Sequence, residues 1–416
     1  MTRFLRRAAL ALLCLLVLAA AGDAATYDAR AWTADLDRLE ADMARGYANL
    51  DWIVQERGLD LPALDRDTRA RLANAHSRVR AFLALRDFIA AFRDPHFKLQ
   101  WGERPVAASR GASSSVRPEA RDQPAGQDCA SAGYEEGGHA FEFPFARMPG
   151  WRTLGDGDFP HGVAGDLGVL RIAQLGEDQY AGACGKVFRP GIGARELQLA
   201  VRARQQAQLR AHLAALRAAG ARRLLIDVSG NGGGTEWVSE VVALMTPARM
   251  SRVEARLVGP ACDRRGVWRG EKACTVFAPA AGRSSLQGEG AWNGPVFVLA
   301  DHGTGSAAED LVAWLQQNQV ATVVGERTAG AGCGYVNGGT RTQLRASRFD
   351  VRMPNCARFL ENGVNEIEGI APDVAIDMRA EDELAKAKAL AAALAGQLGR
   401  ERIRSELVNS QEARIN

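Results

Sequence analysis

The sequence predicts a mixed α/β core preceded by a small helical subdomain, and three observations predict it. Leu224–Val228, Val296–Ala300 and Ala321–Gly325 are short apolar runs without alternation, the pattern of strands buried on both faces. Helical stretches, roughly Glu196–Ala219 and Ala307–Gln317, alternate with them as in an α/β sheet. Ahead of these, residues 32–92 carry apolar stripes at helical spacing.

The chain opens with Arg3, Arg6 and Arg7, an apolar run from Ala8 to Ala21, and small residues around Gly22 and Ala24. This is the pattern of a secretory signal over residues 1–24. The run is shorter than the roughly 20 residues a spanning helix needs, so an uncleaved membrane anchor is the alternative. Cys14 lacks the small residues that precede a lipid-modified cysteine. The expected destination is periplasmic or extracellular, with no stable membrane span in the mature chain. Loss of the leader removes three arginines and Asp23 and leaves 49 basic and 48 acidic side chains. Near-neutral charge gives no electrostatic case for nucleic acid. Only five lysines occur: Lys98, Lys186, Lys272, Lys386 and Lys388.

Six cysteines remain, an even number suited to disulfides in an oxidising compartment. Closeness in sequence favours Cys262–Cys274, then Cys333–Cys356, which leaves Cys129–Cys184. Neither CxxC nor HxxxH spacing occurs, so no metal and no cofactor are expected.

A helical subdomain is expected over residues 25–100. Trp32, Leu36, Leu39, Met43 and Tyr47 form one stripe, and Leu72, Ala75, Val79, Phe82, Leu85, Phe88 and Phe92 a second, with Gly58–Pro62 between them. Helix ends before Asp94-Pro95-His96, because proline disfavours helical geometry in the residue preceding it. Phe97–Trp101 reads as a short strand. Residues 101–165 read as linker and irregular chain: 105–127 is rich in Ala, Ser, Arg, Pro and Gly, and 128–165 yields no clear element. The core is expected over 166–379, beginning with a strand at Val169–Ile172. It includes a helix from about Glu236 to Leu244 and an antiparallel pair, Thr340–Ser347 with Phe349–Met353, that would make the core sheet mixed. A helical tail, 380–416, is expected to be helical from Glu381 to about Leu398.

Four constellations can carry chemistry. Gly303-Thr304-Gly305-Ser306 precedes a helix, where free N–H groups and the helix dipole stabilise an alkoxide and an oxyanion. Ser306-Ala307-Ala308-Glu309 is equally a capping box. Asn231-Gly232-Gly233-Gly234 follows a strand and can present unobstructed N–H groups, or simply turn the chain. His96 is a possible proton acceptor, although nothing local sets it above His76, His139, His161, His212 or His302. Finally, Asn365-Glu366-Ile367-Glu368-Gly369 offers a carboxylate to orient a base, or a plain charged loop.

Their order resembles the tail-specific or C-terminal processing proteases together with the tricorn-core-like serine peptidases. RDPHF, LLIDVSGNGGG, VFVLADHGTGSAAED, VVGERTAG and GIAPDVAID are similar to that family's segments and follow its order. The resemblance implies a Clp-protease/crotonase-like core with Ser306 as nucleophile. It also exposes a departure: Ala331 stands where Ser–Lys members carry their lysine. The histidine-using branch then implies His96 as base, Glu366 or alternatively Glu368 as the carboxylate steering it, and an oxyanion hole from the N–H groups of Ala307 and Gly233, with Gly232 as alternative. Lys98 is the alternative base, since it shares a face with His96 if that segment is a strand. The roughly 65 residues from Gln100 to Ala164 are short for the PDZ domain many processing proteases carry there.

An exported serine peptidase acting on polypeptide or peptide substrates is thus the expected function. A catalytically silent peptide-binding or scaffolding protein of the same fold and an esterase are the rivals. The Gly-x-Ser-x-Gly elbow of common esterases is absent around Ser306. Oligomeric state is not readable.

Overall fold

The computed structural model describes residues 27–101, 124–259, 262–272, 274–277 and 282–396. The expected signal segment, most of the 105–127 stretch and the chain beyond residue 396 lie outside the described residues. Among the described residues no helix is long and apolar enough to cross a membrane. The chain divides into two units: residues 1–111, 255–281 and 333–358, and residues 112–254, 282–332 and 359–416.

The second unit is built on a seven-stranded sheet. Its strands are β1 (Trp151–Gly155), β2 (His161–Ala164), β3 (Leu167–Arg171), β4 (Arg223–Asp227), β5 (Val296–Ala300), β6 (Ala321–Gly325) and β7 (Val374–Ala375). They lie in the order β7-β6-β5-β4-β3-β2-β1. β3 to β7 are parallel, while β2 and β1 add antiparallel strands at one edge. Strand periodicity sorts the side chains between two cores. Leu224, Ile226, Val296, Val298 and Val323 pack with Leu197, Val201, Leu209, Leu213 and Leu216 of α1 (Ala194–Ala218) and Leu311, Val312 and Leu315 of α2 (Ala307–Gln317). Leu225, Phe297, Leu299 and Val324 pack instead with Phe143, Phe145, Leu390 and Leu394, the last two on the helix at 383–396. Burial on both faces is why these strands read as unbroken apolar runs.

The sheet is mixed, but not through the pair the sequence suggested. Thr340–Gln343 and Phe349–Met353 join Lys98–Trp101 in a separate three-stranded antiparallel sheet of the first unit. The expected strand to Ser347 stops at Gln343 because the N–H groups of Arg345, Ala346 and Ser347 donate to the buried Asp35 carboxylate. Those donors are lost to a ladder. β1 and β2, which make the core sheet mixed, come from the stretch that showed no pattern.

In the first unit, helices span Ala29–Gly46, Leu50–Gln55, Leu61–Ala73 and Arg78–Ala90. The expected first stripe buries Trp32, Leu36, Leu39 and Met43. The second stripe is broken: it spans two helices, with Ser77 accepting from the Arg80 N–H as N-cap and His76 at φ 52°. Val79, counted in the stripe, is exposed. A local serine cap overrode an apolar spacing that stays in phase across the break.

All three expected cysteine pairs are formed: Cys129–Cys184, Cys262–Cys274 and Cys333–Cys356.

A pH effect arises where β2 meets α1. The rings of His161 and His212 lie 4.1 Å apart between centroids. Burial, and then the His161 neighbour, push His212 down to about 4, with Asp158 opposing. The unfolded chain, near the ordinary value of about 6.5, therefore holds the extra proton in the intervening range. His212 contributes fully above pH 6.5, and its contribution is lost as pH falls toward 4. After discounting for partial solvent contact, the loss is about 1–2 kcal/mol. Urea unfolding at about pH 7 and about pH 4.5 should show His212→Gln losing less stability on acidification than wild type. Equal losses would refute the assignment.

Candidate active site

The second unit builds a backbone cradle around Ser306. β5 ends at Ala300, and the loop after it is tied down by Asp301, whose Oδ1 accepts from the N–H groups of Gly303, Thr304 and Gly230. The Thr304 hydroxyl donates to the Val228 carbonyl, and the Gly305 N–H to the Asn231 carbonyl. The loop before Ser306 and the glycine turn after β4 are therefore one hydrogen-bonded body.

Ser306 is the N-cap of α2, and Glu309 accepts the Ser306 N–H at 3.0 Å. Its backbone is not that of an ordinary cap. An N-cap residue sits in the extended region, whereas Ser306 has φ 54° and ψ −115°. Positive φ strains any residue bearing a Cβ, and such strain concentrates at functional positions. Ser306 is also partly accessible, not sealed in the core. Gly233 explains how the strain is accommodated. At φ 112°, it lies so close that a Cβ there would stand 2.6 Å from Ser306 Cβ and 2.8 Å from the Ala307 nitrogen. The Gly233 N–H already donates to Asn231 Oδ1 at 2.9 Å, while Gly232 is exposed.

Glu309 does more than cap. Fully buried, its carboxylate also accepts from the Thr328 hydroxyl (2.6 Å) and from the N–H groups of Gly330 (2.7 Å), Ala331 (2.9 Å) and Gly332 (2.9 Å). Thr328 in turn accepts the Ile370 N–H at 2.7 Å, fastening the segment that follows Glu366. Ala331 is buried in this turn.

Glu366 is fully buried at the start of a 3-10 turn, Glu366–Glu368, capped by Asn365. Its carboxylate accepts from Arg252, a buried guanidinium that also binds Asp310 of α2. Below the glycine turn, Asp227 is wholly buried. Burial raises its pKa, opposed chiefly by Arg171, whose Nη1 lies 3.0 Å from Oδ2.

In the first unit, His96 is half-buried in a turn held by Asp94. Asp94 accepts from the Tyr47 hydroxyl (2.8 Å), Asn49 Nδ2 (2.9 Å) and the His96 N–H (2.9 Å). The Tyr335 hydroxyl donates to the His96 carbonyl, and the two rings meet edge to face at 5.1 Å. Gly334, at φ 72°, lies against the imidazole: a Cβ there would stand 2.8 Å from both Cε1 and Nε2. The ring is thus held in place from several directions.

A family model for peptidase family S41 matches residues 166–376. The chain belongs to peptidase family S41. It is a serine peptidase, in agreement with the resemblance read from its motifs. In structure this S41 peptidase is similar to mature CPAF complexed with lactacystin (TM-score 0.60, 15% identity, 91% of this chain and 99% of that one). It is also similar to a peptidase candidate from Parabacteroides merdae (TM-score 0.52, 17% identity, 88% and 95%). At these identities the likeness is one of fold. No curated protein matches the chain in sequence.

One sequence reading of this S41 peptidase needs revision. Lys98 was to share a face with His96, but it begins a strand opposite Arg352 while His96 lies in the preceding turn, so strand alternation does not relate them. Lys98 is exposed, and Glu368, the alternative carboxylate, is half-exposed where Glu366 is buried. Glu309 was read only as half of a capping box, and Arg252 was not singled out. A basic residue in a strand with no motif around it gives no sign that it pairs with residues 58 and 114 positions away.

Proposed function

We propose that this S41 peptidase is exported and hydrolyses peptide bonds through an acyl-enzyme on Ser306, with His96 as proton acceptor and Glu366 steering the imidazole. Ser306 Oγ attacks the peptide carbonyl as His96 takes its proton. The Ala307 N–H and a glycine-turn N–H stabilise the oxyanion, and His96 then protonates the departing amine. Water repeats the sequence to release the acid. Of the two turn glycines, Gly232 is the better donor, because the Gly233 N–H is engaged by Asn231.

The observation that carries this reading is the strained, partly accessible Ser306 seated against a glycine turn at a helix start. For His96, the support is the order of the motifs and the hold on its turn and ring, within the first unit, by Asp94, Tyr335 and Gly334. For export, the support is the basic-apolar-small pattern of residues 1–24 and the three disulfides.

Ala331 favours one rival, a silent peptide binder, since no amine occupies the position of the dyad lysine. A serine-reactive fluorophosphonate separates the two. Labelling is expected in wild type and absent in Ser306→Ala, and lactacystin, found with CPAF, should compete with it. An unlabelled wild type would favour the binder. Turnover of acyl esters without cleavage of unfolded polypeptide would favour an esterase.

A further inference from the structure

Away from Ser306, the second unit gathers Glu136, His139 and Asp158, which each bring one potential ligand atom within 4.8 Å of the others. His139 is the informative member. It is 8% exposed, and neither ring nitrogen has a hydrogen-bond partner. Leaving such a group unsatisfied costs about 1–3 kcal/mol, so an imidazole buried this way calls for a ligand. Its Nε2 lies 3.3 Å from Glu136 Oε1 without the geometry of a hydrogen bond. That spacing is what two ligands adopt on a tetrahedral ion with bonds of about 2.0–2.1 Å.

The surroundings hold all three ligands. The His139 ring is stacked on Tyr180, with centroids 4.7 Å apart and planes 9° from parallel. Glu136 Oε2 accepts the Gly182 N–H at 3.0 Å, and Asp158 Oδ2 accepts from Gln205 Nε2 at 2.8 Å. Glu136 Oε2 and Asp158 Oδ2 are thus each fixed by the protein while Glu136 Oε1 faces the imidazole, the kind of outer hydrogen bonding that orients metal ligands. Charge points the same way. Among the described residues neither carboxylate pairs with an arginine or lysine, so two acidic groups face a buried imidazole without a balancing cation.

We propose that Glu136, His139 and Asp158 bind one divalent transition-metal ion of the zinc class, with solvent completing the tetrahedron. One imidazole and two carboxylates suit such a borderline ion. The ion would join the segment carrying Glu136 and His139, already held by Cys129–Cys184 and by the Glu136–Tyr180 bridge, to the loop before β2. Its role is structural, since it stabilises only the state in which the three ligands converge.

The test uses the full chain, freed of metal with EDTA and titrated with Co²⁺, then Zn²⁺. Visible d–d absorption of tetrahedral Co²⁺ should saturate at one equivalent and be displaced by Zn²⁺, with a higher unfolding midpoint in the bound form. Glu136→Gln, at an exposed position that leaves folding intact, and Asp158→Asn should each weaken binding by at least about 10–100-fold. Matched circular dichroism in EDTA shows that the variants fold. A wild type that retains no stoichiometric ion, or a folded Glu136→Gln that binds as tightly as wild type, overturns the proposal.

Discussion

Replacing His96 with alanine is expected to lower kcat on an unfolded polypeptide by about ten-thousandfold or more, with KM nearly unchanged. A serine hydroxyl is a poor nucleophile until a neighbour takes its proton, and the dyad lysine position holds Ala331. The remaining candidates are an imidazole and an exposed amine. His96 is held by Asp94 through its backbone, by Tyr335 on ring and carbonyl, and by a glycine that admits no side chain against the ring. Lys98 is exposed at the head of a strand. Lys98→Ala should therefore keep kcat near wild type. His96→Gln, which retains much of the ring's volume, should lose activity like His96→Ala while keeping the wild-type unfolding midpoint. A large kcat loss in Lys98→Ala with little in His96→Ala would transfer the base role to the amine.

What could be read from the sequence follows from the physics of each element. Ala307–Gln317 and Ala321–Gly325 agree with expectation to the residue, because one is bounded by a serine cap and the other is an apolar run closed by glycine. β4 and β5 were equally plain, being buried on both faces. β1 and β2 were not: His161-Gly162-Val163-Ala164 neither alternates nor forms a long apolar run, although the Gly165-Asp166 turn joins it to β3 as an antiparallel hairpin. The candidate site divides in the same way. Ser306, the glycine turn and Glu366 each stand in a short motif at the end of an element. What fixes Ser306 and Glu366 is carried by Glu309, Thr328 and Arg252, and what fixes the His96 turn by Asp94, each with a partner from a distant segment. A single sequence shows such residues as ordinary polar positions. Buried charge is legible only once the fold has brought the donors to it.

Glu309 therefore supplies the second large effect. It accepts hydrogen bonds from Ser306, Thr328, Gly330, Ala331 and Gly332, those of Thr328 and Gly330 on Oε1 and the other three on Oε2. Only a carboxylate accepts at both oxygens. In Glu309→Gln, whichever oxygen becomes the amide nitrogen points a donor at two or three donors. Each buried donor left unsatisfied costs about 1–3 kcal/mol, so a loss of about 3–6 kcal/mol is expected, a large share of a typical domain's stability of about 5–15 kcal/mol. Catalysis should suffer in the molecules that still fold, because the Glu309 bond to the Ser306 N–H helps hold that residue at φ 54°. A displacement of about 1 Å costs roughly a hundredfold in rate. Urea unfolding should thus show a lower midpoint at unchanged slope. Fluorophosphonate labelling under native conditions, scaled to the folded fraction, should be slower by about that hundredfold. Thr328→Val, which removes one donor and leaves the rest of the clamp, should fall between Glu309→Gln and wild type on both measures. A Glu309→Gln protein that unfolds at the wild-type midpoint and labels at the wild-type rate would mean that the serine keeps its strained geometry without the clamp. The positive φ of Ser306 would then have to be held by the packing of Gly233 alone.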